Sequence, residues 1–85
     1  MLNDFQKNAL GGDIIEDRGN VVYVGTFRGS SDETGTENCL IRKIEETERK
    51  GITIVRILYP EGINYDYRFT WSKRETYNYK YANSK

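Results

Sequence analysis

Histidine is absent from this 85-residue chain, and cysteine, proline and tryptophan occur once each. Without histidine the commonest general base and the commonest metal ligand are both missing. A single cysteine, Cys39, excludes an internal disulfide framework, and with no histidine beside it the usual zinc centres are excluded as well. Cys39 also has no histidine to activate it as a nucleophile, and next to Leu40 and Ile41 it reads as a small buried apolar residue. An excess of either charge is lacking too. Thirteen Lys and Arg balance thirteen Asp and Glu, which argues against a dedicated nucleic-acid binder. No apolar run approaches the roughly 20 residues of a membrane span, and residues 1–10 lack the apolar stretch of a signal peptide. The expectation is a protein made in the cytoplasm that uses no metal, no cofactor and no membrane.

Catalytic patterns are equally sparse. Asp32/Glu33 and Glu45/Glu46 are adjacent in extended or turn segments, where neighbouring side chains point apart and do not share a proton. Gly11-Gly12 and Gly29–Gly35 lack the strand–loop–helix setting and the lysine of a phosphate loop. No residue is assigned a catalytic, cofactor-binding or metal-binding role, and no enzymatic activity is expected.

Aromatic residues are what the chain has in quantity: seven Tyr, three Phe and one Trp. Tyr65, Tyr67, Tyr77, Tyr79, Tyr81, Phe69 and Trp71 all fall within residues 65–81, with aromatic and polar residues alternating at both ends of that stretch. Alternation is the signature of a strand with one face on a core. Upstream, Asp13–Glu16 reads as a short edge strand, Asp17–Asn20 as a turn, and Val21–Arg28 as a β-branched and aromatic strand. On that strand Gly25 interrupts the face of Tyr23 and Phe27, which predicts a bulge or a close approach. Residues 29–38 form a polar loop. Cys39–Glu46 is a third strand with a bulge near Arg42–Lys43, a one-turn helix being the alternative, and a charged turn over 45–51 follows it.

Ile52–Tyr59 alternates strictly, with Thr53, Val55, Ile57 and Tyr59 on one face and Ile52, Ile54, Arg56 and Leu58 on the other. Pro60-Glu61-Gly62 is turn chemistry that predicts a hairpin from this strand to Tyr65–Trp71. Thr76–Tyr81 would be a last strand. The sum is an all-β domain over residues 13–85, a small five- to six-stranded antiparallel barrel or sandwich. Residues 1–12 precede it as an N-terminal arm or short helix, which folds back on the domain or docks on a neighbour. Tyr23, Ile41, Ile44, Val55, Ile57, Tyr67 and Trp71 are the expected core.

The run Tyr23-Val-Gly25, a small-residue loop, Ile41-Arg-Lys-Ile44, then Gly62, Trp71-Ser-Lys-Arg74 and Tyr79 resembles a family of short bacteriophage virion proteins. The likeness covers about residues 21–81. Cys39 stands where that pattern has tryptophan, and Glu61 where it has aspartate. The resemblance implies a structural component of a capsid, neck or tail, assembled in the host cytoplasm. Its partners would be other virion proteins or further copies of the chain. Expected anchors are Leu2 and Phe5 on the arm and Tyr77, Tyr79 and Tyr81 on the last strand, since tyrosine suits interfaces. Two other readings stand beside it: a small host-directed binding or inhibitor protein and, behind that, a nucleic-acid module of OB or SH3 type using the aromatics for stacking.

Overall fold

The computed structural model describes residues 12–28 and 35–82. Six strands, β1 (Ile14–Asp17), β2 (Val21–Phe27), β3 (Glu37–Arg49), β4 (Ile52–Pro60), β5 (Phe69–Thr70) and β6 (Tyr79–Lys80), and one 3-10 helix (Trp71–Thr76) make up its regular structure. All strand pairs are antiparallel. The sheet runs β1-β2-β3-β4-β6, with β5 beside β3. The all-β antiparallel architecture expected from the alternation is the one found, as an open sheet and not a closed barrel. Leu2, Phe5 and the N-terminal arm up to residue 11 lie outside the described residues, as does most of the polar loop.

β1 turns into β2 through the expected Asp17–Asn20 segment. The Asp17 carboxylate accepts from the Gly19 N–H at 2.9 Å, and the Arg18 N–H donates to the Val21 carbonyl at 2.8 Å. β2 is the centre of the core and buries both faces. On one, Tyr23 and Phe27 join Cys39, Ile41, Phe69 and Trp71; on the other, Val22 and Val24 join Ile44, with Ile15 packed against them. This two-sided burial explains why Leu40, Ile41 and Ile44 break a period of two. Ile41 serves the aromatic face and Ile44 the aliphatic one, with no bulge at Arg42–Lys43. The register against β2 runs unbroken from Val21↔Glu45 to Phe27↔Cys39. The one irregularity of β3 falls between Glu37 and Cys39, against β5.

Gly25 also sits in regular register, so its reason is space and not a bulge. A Cβ there would lie 2.7 Å from a ring carbon of Trp71 and 2.9 Å from the Ile14 side chain. The indole lies directly on the backbone of β2.

Three expectations for the second half are corrected. First, the charged stretch after Glu46 stays extended to Arg49, and only Lys50 and Gly51 turn. Both have positive φ, 54° and 80°, the twist that suits a two-residue hairpin. Charge does not break a strand whose faces are both in water, and the partners across the ladder, Ile52 to Val55, are mostly β-branched.

Second, the Pro60–Gly62 turn forms, closed by N–H donation from Gly62 to the Tyr59 carbonyl at 3.0 Å, but it does not make a hairpin. Past the turn the chain does not run back along the outer edge of β4, which is paired only at Tyr59 and Pro60, by β6. Only Phe69–Thr70 pairs, with β3 at Glu37 and Cys39, beyond the span that β4 covers. Third, Trp71–Thr76 is helical, and the last strand shrinks to Tyr79–Lys80, which pairs with Tyr59 and Pro60.

Tyr23, Ile41, Ile44 and Trp71 are buried. Val55 and Ile57 are not core: they are 55% and 46% exposed, because they lie where β4 has no strand outside it among the described residues. Tyr67 is half-buried in an irregular segment, with the Arg28 guanidinium 5.6 Å from its ring centroid.

Candidate protein interface

The β3–β4 hairpin outruns the rest of the sheet. Val21, the first residue of β2, pairs with Glu45, and the Glu46 N–H donates to the Asn20 carbonyl at 2.8 Å. Beyond that point, among the described residues, two strands continue without a third as an arm, from Thr47 to Arg49 and back from Ile52 to Val55. The apolar side chains there divide between its faces. Ile52 and Ile54, 65% and 39% exposed, point one way; Val55, followed along the same face by Ile57, points the other. A two-stranded ribbon is marginal in water by itself. β-Branched residues left uncovered on both faces, next to an open edge, are the features that natural sheets ordinarily suppress.

The opposite end of the molecule is electrostatically closed on itself. Arg74 grips Glu16 with two hydrogen bonds of 2.9 Å, and its guanidinium lies 4.6 Å from the Trp71 ring centroid. This one arginine therefore stacks on the indole and pairs with an acid at once. Arg18 pairs with Glu16 at 3.1 Å and with Glu75, and lies over the Tyr23 ring. Lys43 sits 5.2 Å from the Tyr79 centroid. Every charged group of this cluster has a partner within it, so it fastens the helix to β1 and β2 and offers nothing unpaired to a ligand.

The hydrogen bonds from Arg74, with a further contribution from Arg18, hold the Glu16 carboxyl down at about 2, against an ordinary value of 4.5. A carboxyl lowered on folding stabilises above its unfolded pKa, and that contribution fades as pH falls through 4.5 and is gone near 2. Glu16→Gln is thus expected to destabilise the domain by about 1–2 kcal/mol at neutral pH, allowing for solvent screening of this partly exposed pair. Chemical denaturation across the acid range checks it: the gap between parent and variant should close towards pH 2.

The expected tyrosine anchors separate. Tyr77 is turned inward, its ring edge-on to Phe69 at 5.0 Å and its hydroxyl accepting from the Thr70 N–H at 2.9 Å. Tyr79 packs on Tyr23 at 5.9 Å and donates its hydroxyl to the Arg74 carbonyl at 2.7 Å; burial pushes its pKa upward. Both are half-buried, with their hydroxyls engaged inside the fold. Tyr81 alone of the three stands out, 61% exposed. Cys39 is fully buried, and burial pushes its thiol up to about 11, so it stays protonated at neutral pH. Among the described residues no group of three or more acidic or thiol side chains is placed to hold a metal ion.

Ile52, Ile54, Val55 and Ile57 were readable as a strand, but not as a surface. Alternation marks a strand without saying which of its faces is covered. The available signal was length, since β3 and β4 together exceed what β2 can flank. No family model, no curated protein and no solved structure matches this chain.

Proposed function

We propose that this protein is a non-enzymatic building block that works by protein–protein assembly, with the β3–β4 arm as its working surface. The setting is the one that the family resemblance implies, a bacteriophage particle in which the chain decorates the capsid or forms part of the neck or tail. The observation that carries the reading is the arm itself: Ile52, Ile54 and Val55 on the ribbon, with Ile57 just below it on the same open edge, stand 39–65% exposed. Covering them removes apolar surface from water at about 25 cal/mol per Å² and orders a segment that is marginal alone.

Particles purified from cells that express a tagged chain with the remaining genes of its virus should contain the chain at a fixed copy number. Ile54→Lys should abolish its incorporation while the soluble chain stays folded. Recovery of the tagged parent only from the soluble host fraction would overturn the reading.

A further inference from the structure

We propose that two copies of the chain join edge to edge through β4, antiparallel and centred on Val55, so that their sheets become one continuous sheet. The proposal rests on the reading above only in taking the arm as the working surface.

The hairpin fixes which backbone groups are available. Arg49 and Ile52 flank the two-residue turn and pair with each other, so Ile52, Ile54 and Arg56 direct their N–H and C=O groups towards β3. Thr53, Val55 and Ile57 direct theirs away from it. The same phase reappears farther along, where the Glu61 N–H reaches outward to the Asn78 carbonyl at 2.7 Å. β6 pairs only with Tyr59 and Pro60, and among the described residues no strand pairs with the edge of Ile52–Leu58 that faces away from β3.

A second copy fits this edge because the stretch is close to symmetric in kind. In Ile52-Thr-Ile-Val55-Arg-Ile-Leu58, turning the strand about Val55 sets Val55 against Val55, Thr53 against Ile57, Ile54 against Arg56, and Ile52 against Leu58. This register satisfies every outward group: two hydrogen bonds from the central pair and two from each Thr53–Ile57 pair. The facing side chains are mostly β-branched, the type that cross-strand pairs favour.

Charge permits the seam as well. Glu46 and Glu48 lie on β3, one strand back, and form a rim. Arg56 stands across its own ladder from Glu45 and meets Ile54 of the second copy, so no like charges face each other directly. About seven residues a side is small beside the roughly 20–30 of a standard interface, which places the association in the micromolar range and not below it.

Sedimentation of the intact chain from micromolar to millimolar concentration tests the pairing, beside the variants Val55→Pro and Val55→Lys. The Val55 N–H points out of the hairpin, so proline there removes a seam bond without touching the β3–β4 ladder. Lysine keeps every backbone bond and charges the centre of the seam. The parent should pass reversibly from one-chain to two-chain mass, and both variants should stay at one-chain mass. Under mild oxidation Val55→Cys should give a disulfide-linked pair, since facing Cα atoms in such a ladder are about 5.5 Å apart, whereas Thr53→Cys should not. A parent that remains a single chain throughout, variants that pair as the parent does, or equal cross-linking at Thr53 and Val55 would each overturn the proposal. A parent pairing only when a foreign strand is supplied would overturn it too. Incorporation into particles is read separately, so failure of the pairing and failure of the virion reading are distinguishable.

Discussion

Replacement of Trp71 by alanine is expected to lower the thermal unfolding midpoint by roughly 12–40 °C, from a loss of about 3–5 kcal/mol at 4–8 °C per kcal/mol in a domain of this size. Trp71 is 5% exposed, at the start of the 3-10 helix, and lies on the backbone of β2 at Gly25. Its ring also carries the Arg74 guanidinium, which in turn holds Glu16 of β1. Removing the indole therefore opens a cavity over the central strand and unseats the ion pair that ties helix to sheet. At about 0.05–0.15 kcal/mol per residue the whole domain has on the order of 4–13 kcal/mol of stability, so the loss is a large share of it.

Gly25 supplies the internal check. Gly25→Ala should destabilise the parent by about 1–3 kcal/mol, because the new methyl would meet the ring and Ile14 at under 3 Å. In the Trp71→Ala background the same change should have a smaller effect, since the two ring contacts are then gone and only the Ile14 side chain must give way. Equal effects in both backgrounds, read by denaturant unfolding, would show that the two residues do not share a site.

Shortening the arm should have an equally large effect on assembly and little on folding. Glu45 and Arg56 face each other in the ladder, so residues 46–55 can be replaced by Asn-Gly, leaving a two-residue turn in the same register. No buried residue of either cluster is removed. The shortened chain should keep its near-ultraviolet dichroism and unfold within a few degrees of the parent, as expected for a change outside the core. Its self-association should fall below detection. An unfolded product would mean that the arm stabilises the body of the sheet, and unchanged association would move the contact elsewhere.

Much of the first half of this fold was legible in the sequence. Val21–Phe27 combines β-branched and aromatic residues between two turns, and Gly25 marked a bulge or a close approach, of which the close approach is the one found. The second half was misread for a physical reason. In Tyr65–Trp71 the aromatic alternation imitates a strand, yet only Phe69–Thr70 pairs, with the first residues of β3, and Phe69 and Trp71 are spent on the aromatic core beside Tyr23 and Ile41. The arm was misread in the opposite sense. Alternation placed Val55 and Ile57 correctly on a strand, but Val55 lies past the end of β2, which stops at Glu45's partner, Val21, and Ile57, level with Val22 through Ile44, has no strand outside it among the described residues. Tyr77 and Tyr79 look like interface tyrosines by type. Their hydroxyls are instead engaged internally, with the Thr70 N–H and the Arg74 carbonyl, which only the tertiary path reveals.

Amide hydrogen exchange at Thr53, Val55 and Ile57, followed at low and high chain concentration, tests the role of the arm most directly. These three N–H groups point away from β3, while those of Ile54 and Arg56 point into the ladder. The expected result is strong slowing at the three outward positions as concentration rises, with Ile54 and Arg56 little changed. Exchange at Thr53, Val55 and Ile57 that stays fast and independent of concentration would contradict assembly through the β4 edge.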